Sequence, residues 1–187
     1  MDTPFMDAFA GGLAERGWRL LRFEFPYMAA RRRDGKKRPP DRQEVLLQSW
    51  RDTVAGLPPD RLVIGGKSMG GRMASMIAEE LRARACLCLG YPFHPAGKPE
   101  RLRIDHLRDT PVPTLICQGT RDPMGTREEV AGYPLGTAVR LQWAEDGNHD
   151  LAPRKASGRS KEQNWEKAIG AIDGFLREKL AESSVRP

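Results

Sequence analysis

The sequence predicts an α/β protein, a three-layer α/β/α sandwich with a mostly parallel sheet in the middle. Three observations predict it. Short apolar runs recur along the chain, RLVIG at 61–65, RACLCLG at 84–90 and PTLICQG at 113–119, each bounded by Pro, Gly or charged residues. Their continuous apolar character suits strands covered on both faces. Segments with apolar residues at helical spacing alternate with these runs, and that alternation builds an open parallel sheet with helices on both sides. Third, the first run ends in Gly66-Lys67-Ser68-Met69-Gly70, which fits the G-x-S-x-G strand-to-helix turn. The 187 residues suit one domain with a core of its own.

Each element has a local reason. Thr3 can cap a helix with Pro4 at its first position, and Phe5, Phe9 and Leu13 share one face. Residues 18–25, WRLLRFEF, read as a strand ended by Pro26, and a basic loop follows at 31–38. Asp41 to Glu44 reads as an acidic capping box, opening a helix to about Gly56 that buries Leu46, Trp50 and Val54. After the 61–65 strand a helix runs from Met69 to about Ala83, with small residues that let it lie close on the sheet. The 91–99 stretch is rich in Pro and Gly and reads as a loop. Short helices are expected at 104–107 and 127–132, and further strands at 113–119 and 138–143. Ser160 to Gln163 is a capping box, and the last helix carries Trp165, Ile169, Ile172, Phe175 and Leu176 at helical spacing. The tail at 182–187 is expected to fray.

Composition narrows the function classes. No apolar run reaches the ~18–20 residues that span a bilayer, and no secretory leader is visible, so a cytoplasmic protein with no membrane partner is expected. The chain has 3 cysteines, an odd number, which argues against a disulfide framework. Cys86 and Cys88 read as buried thiols on one strand face. No His/Cys cluster has zinc spacing, and no metal or other cofactor is expected. Net charge is +6. Much of it sits at 31–38 without interleaved aromatics, so a solvated loop is the reading and nucleic acid is not an expected partner. Gly66-Lys67-Ser68 resembles the end of a phosphate loop, but Arg61 stands where that loop needs its first glycine.

Three loops at strand C-termini carry residues suited to acyl transfer. Ser68 follows one strand, Asp122 in GTRDP follows another, and His149 in DGNHD follows a third. Serine is a poor nucleophile until a base takes its proton. Histidine supplies that base near neutral pH, and a carboxylate fixes its tautomer. The order Ser, Asp, His is that of α/β-hydrolases. The Met69 N–H is placed to bind an oxyanion. Lys67, Arg72, Lys98, Arg154 and Lys155 lie near the expected mouth, and with His94 as a lining residue they point to a small, anionic acyl substrate. His106 reads as a surface residue.

These motifs, with MDTPFM at 1–6, RFEFPYMAAR at 22–31, GYPFHPAGKPE at 90–100 and DGNHDLAPRKASGR at 146–159, resemble small bacterial α/β-hydrolase-fold proteins akin to dienelactone hydrolases. The branch is that of a testis-expressed protein and a subunit of the nonspecific-lethal histone acetyltransferase complex. The resemblance implies a serine hydrolase of an ester, thioester or similar acyl bond, with Ser68, Asp122 and His149 in the catalytic roles. Such proteins carry a strand ending in a His-Gly turn just before the MDTPFM segment, so the chain reads as N-terminally truncated. The 18–25 strand is then expected to pair directly with the strand before Ser68, or another chain to lend the partner, as in a homodimer. The alternative function is a catalytically weak interaction protein on a hydrolase fold.

Overall fold

The structure, a computed structural model, describes residues 2–181. Helix α1 (Pro4–Glu15) begins with the Met6 N–H donated to the Thr3 hydroxyl at 3.2 Å, and buries Phe5, Phe9 and Leu13. Residues 18–25 form no strand, contrary to the expectation. Phe23 stacks edge-on against Phe25 and against Trp50 of helix α3 (Gln43–Val54). The aromatic rings thus anchor this segment on a helix, and its backbone joins no ladder.

The basic stretch also differs from its expectation. Helix α2 (Pro26–Asp34) includes Arg31 to Asp34, and Gly35 closes it at φ 69. Only 35–38 remain as loop. Asp41 has changed customers: its carboxylate accepts the Tyr27 N–H at 2.9 Å and so caps α2 rather than α3. Helix α3 starts after Arg42 with no side-chain cap.

The sheet contains β1 (Val63–Lys67), β2 (Ala85–Leu89), β3 (Thr114–Gly119) and β4 (Val139–Ala144), all parallel and in sequence order across the sheet. Helix α4 (Met69–Ile77) is shorter than expected, ending in turns where Arg82 takes φ 51. Short helices α5 (Asp105–Arg108) and α6 (Arg127–Val130) lie near their expected places. Helix α7 (Lys161–Ala181) opens with the Ser160–Gln163 capping box, both of whose bonds form. The frayed tail expected at 182–187 lies outside the described residues.

Helices α1 and α7 cover one sheet face, packing Phe5, Phe9, Trp165, Ile169 and Ile172 onto Leu89 and Leu115. Helices α3 and α4 cover the other, with Trp50, Met73 and Ile77 against Ile64, Cys86 and Ile116. The three cysteines are free and buried, and burial pushes the Cys117 thiol up to about 12. Among the described residues no strand lies on the far side of β1. A cleft of about 1090 Å³ runs there instead, between β1 and residues 18–23, lined by Leu20, Leu21, Trp50, Val63, Gly65 and Leu176. The expected direct pairing of 18–25 with β1 is therefore absent.

Candidate active site

Because all four strands run in one direction, their C-terminal ends share one rim of the sheet, where loops gather. Ser68 stands at the end of β1 at φ 54, ψ −120, a conformation that strains a residue with a side chain. Two bonds hold it there. Its N–H donates to the Leu89 carbonyl at 2.9 Å, and its carbonyl accepts the Arg72 N–H at 3.0 Å, closing the first turn of α4. The strand and helix come close at Gly66 and Gly71: a Cβ at Gly71 would stand 2.5 Å from the Gly66 carbonyl oxygen. Gly70, the motif's second glycine, has nothing within 4 Å of such an atom.

Asp122 follows β3 and is fully buried. One carboxylate oxygen accepts the Met124 N–H at 2.9 Å. The other accepts a Gln118 amide N–H at 2.9 Å and faces His149 Nδ1 at 2.8 Å. His149 follows β4 in a turn braced by positive φ at Asp146 and Leu151. Its Nε2 lies 2.8 Å from the Ser68 hydroxyl. An ionised carboxylate only accepts, so Nδ1 carries the hydrogen and Nε2 is left to accept from Ser68. The β2 loop allows this approach because Gly90, at φ +62, has no side chain; a Cβ there would meet the His149 carbonyl at 2.4 Å.

Residues 1–177 match the family model described as an alpha/beta hydrolase domain. The chain belongs to that family. Solved structures agree on the fold. The hydrolase domain resembles the esterase domain of a Rhodothermus marinus protein, with 16% identity and TM-score 0.63 over 93% of this chain and 79% of that one. It resembles an alpha-beta serine hydrolase homologue from Coxiella burnetii, with 16% identity and TM-score 0.62 over 95% and 76%. An alpha/beta superfamily protein from Xanthomonas campestris pv. campestris shares 21% identity, with TM-score 0.56 over 91% of each chain. No curated protein sequence matches.

The hydrolase places the other expected site residues in different ways. Met69 opens α4, so its N–H has no acceptor one turn back within the helix. Lys67 is mostly buried. Its Nζ donates to the His149 carbonyl at 2.9 Å, pairs with Asp150 at 2.9 Å and sits 5.3 Å from the Phe5 ring centre. His94 is buried: Nδ1 meets the Pro95 carbonyl at 2.9 Å and Nε2 lies 3.5 Å from the Glu129 carboxylate. It ties the 91–99 loop to α6. Arg154 is held by Asp146, whose carboxyl that contact lowers to about 2. Lys98 and Lys155 are exposed. Arg72 lies one turn from Ser68, with a buried Nε that meets no acceptor among the described residues.

Sequence reasoning missed Gln118 and His106. Gln118 donates to Asp122, to the Tyr91 carbonyl at 3.1 Å and to the Gly125 carbonyl at 3.2 Å, and accepts the Tyr91 N–H at 2.7 Å. A signal existed: it is the one amide in an otherwise apolar strand, PTLICQG. His106, expected at the surface, is instead part-buried beside the Ser75 hydroxyl at 2.9 Å.

Proposed function

We propose that this protein is a serine hydrolase that cleaves an ester, thioester or similar acyl bond of a small molecule. The observation that carries the reading is His149, set between Ser68 and Asp122 with 2.8 Å on each side. Ser68 Oγ attacks the acyl carbon as His149 Nε2 takes its proton. Asp122, acting on Nδ1, holds the ring and stabilises the imidazolium that forms. The Met69 N–H donates to the developing oxyanion. His149 then returns the proton to the leaving alcohol or thiol as its bond to carbon breaks. A water, deprotonated by the same nitrogen, releases the acid and restores Ser68. These steps use the three side chains, the Met69 N–H and water.

The test is labelling by a fluorophosphonate probe, which reacts with activated serines. Wild-type protein should be labelled at Ser68 and the Ser68→Ala variant should not. Equal labelling of both, or none of the wild type, overturns the reading.

A second reading is a catalytically weak hydrolase-fold protein that acts by binding a partner. The cleft beside β1 favours it, because Leu20, Leu21 and Leu57 around it are exposed. Under that reading Ser68→Ala keeps full biological function, whereas Leu21→Asp loses it.

A further inference from the structure

Strands β3 and β4 end in register, Gly119 beside Ala144, and the loops that carry Asp122 and His149 leave from that pair. The two loops touch as soon as they begin. The Thr120 N–H donates to the Ala144 carbonyl at 3.1 Å, and the Arg121 N–H donates to the Gly147 carbonyl at 2.9 Å. Gly119 leaves room for this, since a Cβ there would run into the Gly147 and Asn148 carbonyl oxygens. Past Arg121 no further backbone bond joins the two loops among the described residues. Side chains must therefore set one loop against the other.

The carboxylate of Asp146 is placed to do so. Asp146 takes φ 55, a left-handed conformation that Asp and Asn tolerate better than most residues with a side chain. Its carboxylate lies 2.9 Å from Arg121 Nε, and accepts from Arg154 Nε at 2.9 Å and from the Arg154 backbone N–H at 2.7 Å. Arg121 Nε also donates to the Asp146 carbonyl at 3.1 Å. Arg121 directly precedes Asp122, and Arg154 follows His149 on the same loop. The one carboxylate thus closes the 146–154 loop at its base and ties that base to the neighbour of Asp122. It is only 15% exposed, against 53% for Glu80 in its surface pair with Arg51. Arg154 above all, and then the charge of Arg121, hold the Asp146 carboxyl at about 2, so it is an anion throughout the neutral range.

We infer that Asp146 is a positioning residue for the contact between His149 and Asp122. The inference rests on the hydrolase reading, in which His149 needs Asp122 at its Nδ1. Bonds between guanidinium groups and a carboxylate are stronger than neutral ones and fix orientation as well as distance. The two arginines act at different places. Arg154 keeps the 146–154 loop closed beneath the His149 ring, and Arg121 sets that closed loop against Asp122. Without the charge both loops keep their backbone bonds but are free to slide past one another. A slip of about 1 Å between reacting groups costs on the order of a hundred-fold in rate. Among the described residues Asp146 meets neither Ser68 nor the His149 ring, so its effect should fall on kcat and leave KM alone.

Asp146→Asn keeps a residue suited to φ 55 and removes the charge. On p-nitrophenyl acetate it should lower kcat roughly ten- to hundred-fold with KM little changed. Arg121→Gln should do the same, and the double variant should be no slower than the slower single one, because both remove one contact. Arg51→Gln, at the surface pair with Glu80, should keep the wild-type rate. Nitrogen NMR of the histidine rings, with His149 assigned through His149→Gln, reads the bond to Asp122 without any turnover. The His149 Nδ1 resonance should move in Asp146→Asn and in Arg121→Gln, and stay in Arg51→Gln. Wild-type kcat in both variants, losses that multiply in the double variant, a fall carried by KM, or an Nδ1 resonance that does not move would each overturn the inference. If the wild type cleaves no ester, the hydrolase reading fails by itself. The Nδ1 resonance then decides: movement in both variants supports the placement by Asp146, and its absence overturns it.

Discussion

Lys67 Nζ donates to the backbone carbonyl of His149 at 2.9 Å, so the residue before Ser68 holds the loop that carries His149. The same ammonium pairs with Asp150, one residue further on. Lys67→Met keeps the stem and removes both bonds. The expected outcome is a kcat/KM lower by roughly ten- to hundred-fold, because small misplacements of a reacting group cost that much. Lys67→Arg should recover part of it. The fall should lie mainly in kcat, which steady-state kinetics on a p-nitrophenyl ester would read.

Gly70 and Gly71 should answer oppositely to alanine. Gly71→Ala drives a methyl to 2.5 Å from the Gly66 carbonyl and 3.2 Å from Cys88, against backbone that cannot step aside. A loss of about 2–3 kcal/mol is expected, with Ser68 displaced. Gly70→Ala meets open space in a helix and should be neutral or stabilising by up to ~1 kcal/mol. Thermal unfolding followed by circular dichroism separates them.

Gln118→Glu should be the most damaging isosteric change near the site. It replaces a donor to Asp122 with a second buried carboxyl at 2.9 Å. Stability should fall by about 3–5 kcal/mol at neutral pH. The deficit should shrink as pH is lowered, since protonation of the introduced carboxyl restores a donor. A denaturant series at pH 5 and pH 8 would show this.

His106 imposes its own pH dependence. Its folded pKa is lowered from 6.5 to about 4, so the unfolded chain binds the extra proton between those values. Its contribution is therefore complete above about pH 6.5 and lost as pH falls toward 4. Ser75 and Tyr91 meet the ring, the charge of Arg72 adds to the shift and that of Asp105 opposes it. The thermal midpoint should decline through this window, and His106→Asn should flatten the decline. Carboxylates such as Glu178, held at about 2 by Arg140, add their loss only at lower pH.

The strands were legible where continuous apolar runs met turn residues, as at 113–119, and so were the rim positions of Ser68, Asp122 and His149. The failures share a cause. WRLLRFEF has strand chemistry, but a strand also needs a neighbour, and Phe23 found Trp50 instead. Asp41 was read as a local cap because its partner Tyr27 lies 14 residues back in the chain. Gln118, Tyr91 and Arg121 act through contacts that only the folded chain brings together. Lys67 was given an outward role because sequence shows a charge but not the carbonyl it meets. The basic run at 31–33 became helix because Asp41 and Gly35 define both ends of α2 from outside that run.

Strand order has a mechanical meaning for the three proposed reacting groups. Ser68 hangs from β1 at one margin of the sheet, His149 from β4 at the other, and Asp122 from β3 in between. Three interstrand spacings separate the two margins, ~14 Å of backbone that the loops must span in return. The 2.8 Å contact between His149 Nε2 and the Ser68 hydroxyl thus joins loops from opposite margins of the sheet. Each margin, β1 on β2 and β4 on β3, is held by a single ladder among the described residues.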